Sequence, residues 1–206
     1  MIIPDAILTF VTASALLAFI PGPDLVFVLT ESMLRGKRAG LAATTGLCSG
    51  LLFHTAAVTF GVAALVQASP IAFTALRYIG ATYLLYLAWK SFSASAVAVG
   101  DGSGKAISLP AIYRRGVIMN GANPKVAIFF LAFLPQFTQP ERGGVASQMM
   151  VLGATFIVCS FACFAIVTLA AQPIGRWIRG APDRQVWLNR LAAIIFVGLA
   201  AKLAIG

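Results

Sequence analysis

Asp24 and Lys125 are charged residues embedded in apolar runs, FIPGPDLVFVL at 19–29 and GANPKVAIFFL at 121–131, and each directly follows a proline. A carboxylate costs on the order of 3 kcal/mol at the centre of a bilayer helix, so Asp24 needs a partner or a proton. Asn123 and Pro124 have the types of an N-cap and a first helical residue. Lys125 then falls in a first turn, where the helix dipole disfavours a cation by about 0.3–1 kcal/mol. An acid and a base so placed either neutralise one another as a structural pair or receive the ammonium and carboxylate of a zwitterion.

The residues around them point to interrupted helices. Pro21 and Pro23 lack the N–H that a helix would use, which strands the carbonyls of Leu17 and Phe19, and Gly22 loosens the turn between them. Free backbone at membrane depth is tolerated where it is buried in protein or lines a cavity, so Pro21, Gly22, Pro23 and Asp24 are expected to face the interior. Asn120, about one turn before Pro124, falls on nearly the same side of its helix as Asn123. The candidate binding residues are therefore Pro21, Gly22, Pro23, Asp24, Asn120, Asn123, Pro124 and Lys125, with Asp24 the candidate for proton coupling.

Other reactive types read more plainly. His54 is the single histidine and is expected to be a satisfied interior residue rather than a proton relay, and Arg77 is expected to snorkel toward the surface. Cys48, Cys159 and Cys163 lie in apolar runs without CxxC spacing, which suits packing. No phosphate loop, GxSxG or zinc signature is present, so neither an enzyme, a resident cofactor nor a metal site is expected.

The elements that carry these residues follow from composition. Of 206 residues 60% are hydrophobic and 10% charged, mean hydropathy is +0.92, and 39–76 contains no Asp, Glu, Lys or Arg. Lipid is the expected solvent. Six apolar stretches, 6–30, 41–66, 70–92, 116–137, 146–172 and 186–205, read as transmembrane helices, being too long and continuous for barrel strands. The N-terminus reaches its apolar run with no Lys or Arg ahead of it, which predicts a permanent first span rather than a cleaved signal. The net charge of +9 is scattered through short connectors without aromatic platforms, which argues against nucleic acid.

Those connectors set the expected topology. The ones after spans one, three and five hold Arg35, Lys37 and Arg38, then Lys90, Lys105, Arg114 and Arg115, then Arg176, Arg179, Arg184 and Arg190, against Arg77, Arg142 and Lys202 on the other side. The positive-inside rule puts the three basic connectors in the cytoplasm and both termini outside. A Ser-, Ala- and Gly-rich loop at about 93–112 separates half one, about 1–92, from half two, about 113–206, within a single transmembrane domain spanning 1–206. The halves match weakly at IGATYLLYLAWK and LAAIIFVGLAAK, and better at their opening spans, where Asp24 corresponds to Lys125. Three spans per half invert the second half, so the fold class read here is an all-α integral membrane protein. Its six helices form two inverted three-helix repeats in which helices one and four are broken, the arrangement of inverted-repeat transporters.

The segments FIPGPDLVFVLTESMLRGKRAG, IGATYLLYLAWK and NPKVAIFFLAFLPQF together resemble the lysine exporter superfamily, and within it the homoserine and threonine resistance branch. The resemblance covers essentially the whole chain. It implies a multi-pass protein of the bacterial inner membrane that exports amino acids or close derivatives, driven by the proton-motive force. It also implies a homodimer, and it does not choose the substrate.

A mechanism follows as an expectation: secondary transport by proton antiport, with substrate held between Asp24 and Lys125. The two charges would pair when the site is empty, and each would neutralise one end of the substrate when it is loaded. Two readings from other classes remain beside it. One is a transmembrane thiol-disulfide carrier using Cys48 with Cys159 or Cys163; the other is a metal-ion exporter, for which Asp24 and His54 are few ligands.

Overall fold

The computed structural model describes residues 4–64, 69–94 and 107–205; most of the loop expected at about 93–112 lies outside the described residues. α1 (Pro4–Phe19) and α2 (Pro23–Arg35) make the first crossing and meet at a 59° bend. The bend falls where the two prolines withhold their N–H groups, with Gly22 fully extended between the helices. Gly36, at φ +83°, then turns the chain into α3 (Lys37–Ala57), a backbone conformation that side-chain-bearing residues rarely adopt. α3 continues through a π-helical turn, Val58–Val62.

α4 (Pro70–Phe92) starts at Ser69, whose hydroxyl accepts from the Ala72 N–H at 3.2 Å. The fourth crossing repeats the design of the first. α5 (Leu109–Gly121) bends by 49° into α6 (Pro124–Ile128), which runs on through a π turn, Phe129–Phe133, and a 3-10 turn, Leu134–Phe137. α7 (Val145–Leu169), α8 (Ala171–Arg179) and α9 (Pro182–Ile205) complete the chain. Among the described residues four helices are long and apolar enough to cross a membrane, the two bent pairs bring the crossings to six, and no strand occurs.

Two boundaries differ from the hydropathy reading. The fourth crossing begins at Leu109 rather than at Gly116, because Ser108 and Pro110 open a helix ahead of the two arginines, and so Arg114 and Arg115 ride on a helix and not in the connector expected before Gly116. α8 replaces what read as the plain basic connector after span five; nine residues with two arginines are too short and too polar to register as a span.

Lipid gives helices no hydrophobic reason to associate, so close approach between small residues must supply the packing. Gly46 and Gly50, at GxxxG spacing on α3, face α5 in the most extensive helix pairing of the molecule. A Cβ at Gly46 would overlap the Tyr113 carbonyl, and one at Gly50 would come 2.8 Å from Asn120 Cβ. Gly116 of α5 returns the approach, 2.9 Å from the Ala43 carbonyl oxygen by the same measure. α3 of half one thus packs on α5 of half two, and α4 packs on α9, so neither half forms a core by itself. The Arg77 guanidinium donates to Leu203 O and Ala204 O, both at 3.1 Å, and caps the C-terminus of α9. Leu52, Phe60, Ile71 and Ile194 face outward, as lipid-facing side chains do.

The basic segments gather at one end. Gln172 of α8 reaches Met33 O near the α2–α3 turn, and Asn189 of α9 reaches Ala94 O just beyond α4. Leu203, Arg77 and Gln136 meet at the opposite end.

Candidate functional site

The two bends lie side by side and bring both halves' interrupted backbone together; of the residues expected to face the interior only Asp24 is buried, Pro21 and Gly22 are half-buried and Pro23 is exposed, because the chain turns outward at the break. Asp24 stands in the first turn of α2, where the dipole favours an anion. Its Oδ2 accepts from Asn120 Nδ2 at 3.2 Å and Asn123 Nδ2 at 3.0 Å. Asn123 also caps α6, its Oδ1 accepting the Lys125 N–H at 3.0 Å. One side chain therefore secures both the restart of the fourth crossing and the acid of the first. All four residues, Asp24, Asn120, Asn123 and Lys125, are buried.

The expected pairing of Asp24 with Lys125 is not made; among the described residues these two form no direct ion pair. Lys125 Nζ lies instead 3.5 Å from Leu17 O, the carbonyl that Pro21 strands. Gly22 makes room for it, since a Cβ there would sit 3.3 Å from Nζ. The carbonyl at the second break is also reached from the other half. Pro124 deprives Asn120 O of its i+4 donor, and the oxygen instead accepts the Asn123 N–H at 2.9 Å, with His54 Nε2 3.0 Å away. A carbonyl only accepts, so Nε2 carries the hydrogen. Each break is thus bridged by a side chain of the opposite half.

Asp24, Asn120 and Lys125 line one cavity with Leu17, Leu51 and Phe156, joined by Ala18, Val126, Ser160 and Phe164. Asp24 Oδ1 and Asn120 Oδ1 are buried there without a hydrogen-bond partner. The cavity holds about 10 Å³, near the minimum of roughly 10–15 Å³ for one water, so this is a closed conformation. Toward the end opposite the basic segments it is sealed by phenylalanines. Phe129 stacks on Phe133 at 4.7 Å and meets Phe156 at 5.2 Å, while Phe137 packs against Phe10 at 5.1 Å, with Lys202 Nζ 4.7 Å from the Phe137 ring.

The other candidates act through backbone or lie elsewhere. Pro21, Pro23 and Pro124 shape the breaks without lining the cavity. Cys48 sits against Ile157 O and Cys159 against Val11 O, and all three thiols are free. Among the described residues no group of three His, Cys, Asp or Glu could hold a metal ion. Sequence reasoning missed two residues. Ser160 lines the cavity, and no pattern marks a lone serine. Glu31, just past the apolar run, is buried and paired with Arg35 at 2.7 Å, a partnership that the i, i+4 spacing signals. His54 is the satisfied interior residue expected, buried and hydrogen-bonded at the second break.

Against known proteins, a family model of the LysE type translocator matches residues 15–206. The chain belongs to that family. Its relatives match over nearly their whole length. An uncharacterized membrane protein of Vibrio cholerae is 33% identical over 198 residues, covering 96% of this chain and 95% of the relative. A leucine efflux protein of Salmonella typhimurium is 29% identical over 197 residues, covering 95% and 93%. A homoserine/homoserine lactone efflux protein of the same organism is 31% identical over 195 residues, covering 95% and 94%. No solved structure matches. The chain is accordingly a LysE-type membrane transporter and not an enzyme, and the site must be read as one that holds cargo and releases it unchanged.

For this LysE-type translocator the His54 contact yields a direct test. His54→Ala removes one of the two donors to the Asn120 carbonyl, worth about 0.5–1.5 kcal/mol, and transport is expected to fall roughly fivefold. His54→Gln, which offers a donor at similar reach, is expected to retain most of it. Initial rates from protein matched for membrane abundance decide this, and an unimpaired alanine variant would remove His54 from the site.

Proposed function

We propose that the chain exports an amino acid with an uncharged side chain from the cytoplasm across the bacterial inner membrane, in exchange for protons. The observation that carries this reading is the pair of orphaned acceptors, Asp24 Oδ1 and Asn120 Oδ1, beside Lys125 in an otherwise mostly apolar cavity. The acceptors suit a substrate ammonium, and Lys125 Nζ, released from Leu17 O, suits its carboxylate. Leu17, Leu51, Phe156 and Phe164 then meet the side chain, and no second acid awaits a second ammonium. The relatives that export leucine and homoserine support an uncharged side chain.

Because the cavity is closed, loading requires the bends to open toward one face and release requires them to open toward the other. Two inverted halves, each beginning with a broken helix, supply the hinges for that exchange. The gathering of basic segments at one end supports a cytoplasmic location for that end, with both termini outside. Proton coupling is assigned to Asp24: with the ammonium gone and Lys125 engaged with Leu17 O, Oδ1 accepts the returning proton.

The test uses purified protein in proteoliposomes loaded with labelled leucine or labelled lysine, with and without an inward proton gradient. Leucine efflux is expected to be gradient-driven and faster by about 100-fold. That factor corresponds to about 3 kcal/mol for an uncompensated charge, at tenfold per 1.4 kcal/mol. Equal efflux of lysine, or leucine efflux indifferent to the gradient, would defeat the corresponding part of the reading.

A further inference from the structure

A second recess lies at the basic end of the bundle. α8 turns Ala171, Ile174, Gly175 and Ile178 inward at helical spacing and leaves Gln172, Arg176 and Trp177 outside. Gly175 lets it lie on the Met33 side chain, and Gln172 Nε2 donates to Met33 O at 3.3 Å, so the helix is fixed across the end of the bundle. On the first two turns of α9, Asp183, Val186, Trp187 and Arg190 follow i, i+3, i+4 and i+7 and share a face. These four, with Trp177 and Arg184, enclose about 580 Å³.

The cations of this recess are held in place. Arg184 Nη1 donates to Trp177 O at 2.6 Å, and the guanidinium lies 5.1 Å from the centre of the Trp177 ring. Arg190 rests over Phe92 of α4 at 5.8 Å. A guanidinium has five N–H donors in a planar fork, so both keep donors to spare. Asp183 stands in the first turn of α9, where the helix dipole complements it, and two arginines against one aspartate leave the recess cationic. Trp177 and Trp187 are 44% and 60% exposed. Exposed indoles at the end of an apolar span belong at the level of lipid headgroups.

We propose that this recess binds an anionic phospholipid, with Arg184 and Arg190 on the headgroup phosphate and Trp177, Val186 and Trp187 against the glycerol and the first acyl carbons. A free phosphate would leave the indole and valine walls uncovered, whereas a lipid buries them. A zwitterionic headgroup brings its own cation toward a site already positive. Each basic side chain at an anionic surface contributes about fivefold, so the pair is expected to favour phosphatidylglycerol over phosphatidylcholine by roughly 30-fold.

The experiment reads quenching of tryptophan fluorescence by brominated phosphatidylglycerol or brominated phosphatidylcholine, titrated into the full chain in neutral detergent. The unaltered protein should show the preference. Arg184→Gln/Arg190→Gln should lose it, and Arg114→Gln, an exposed cation outside the recess, should keep it. Arg190→Glu, at an exposed position, reverses one charge without touching the bundle interior and should lose or invert the preference. Retention of the preference in both recess variants overturns the proposal. Competition by millimolar inorganic phosphate as strong as that by the lipid overturns it in favour of a soluble anion. Neither result bears on amino-acid export, which rests on a different site.

Discussion

Export by the Asp24→Asn variant is expected to fall at least about 30-fold, and export by Lys125→Met by a similar factor. Removing one partner of a buried charge contact costs about 2–5 kcal/mol, and each 1.4 kcal/mol is tenfold. Asparagine preserves the shape at position 24, and its oxygen still accepts from Asn120 and Asn123, so the fold survives the change. The double variant Asp24→Asn/Lys125→Met separates two explanations. If the charges only balance each other within the bundle, removing both restores export. If each holds one end of the cargo, the double variant is as defective as the singles. Initial efflux rates of a preloaded labelled amino acid, at matched protein abundance, give the answer.

The second large effect is structural. Gly46→Val is expected to destabilise the bundle by at least about 3 kcal/mol, the upper part of the usual range for overpacking, because its Cβ falls on the Tyr113 carbonyl and not on a side chain that could swing away. α3 cannot retreat, since Gly50 and Gly116 hold the same pair of helices together one turn to either side. Gly198→Ala provides the control: nothing lies within 4 Å of its Cβ position, and alanine favours a helix over glycine by about 1 kcal/mol. Melting in detergent, followed by loss of the monodisperse size-exclusion peak, should drop sharply for Gly46→Val and hold or rise for Gly198→Ala.

Much of the site could be read from residue types, because proline strands the same atoms in any helix. Pro21 pointed to Leu17 O and Pro124 to the restart at Asn123, and the structure has both. The partners of those atoms were not legible. Which side chain reaches a stranded carbonyl depends on how the second half lies on the first, and a sequence carries that only through weak small-residue spacing such as Gly46 and Gly50. Hence the sequence places His54 in the interior without naming its partner, and it matches Asp24 to Lys125 by charge and corresponding position, while the donors to Asp24 are two neutral amides. The six crossings were legible from hydropathy, yet α8 and the first turns of α5 were not, since amphipathic helices at a membrane surface dilute the apolar average that marks a span. The π turns at Val58–Val62 and Phe129–Phe133 left no compositional trace.

The phenylalanine seal has an electrical meaning. From Phe129 to Phe137 and Phe10, aromatic rings pack stacked, tilted or edge to face with centres about 5 Å apart, and they offer an ion no lone pairs with which to replace its water. A bare charge at such a place costs several kcal/mol at least. In its closed form the protein is therefore an insulator: a cell can keep many copies in its membrane while no cargo is present, and its voltage and proton gradient do not drain through them.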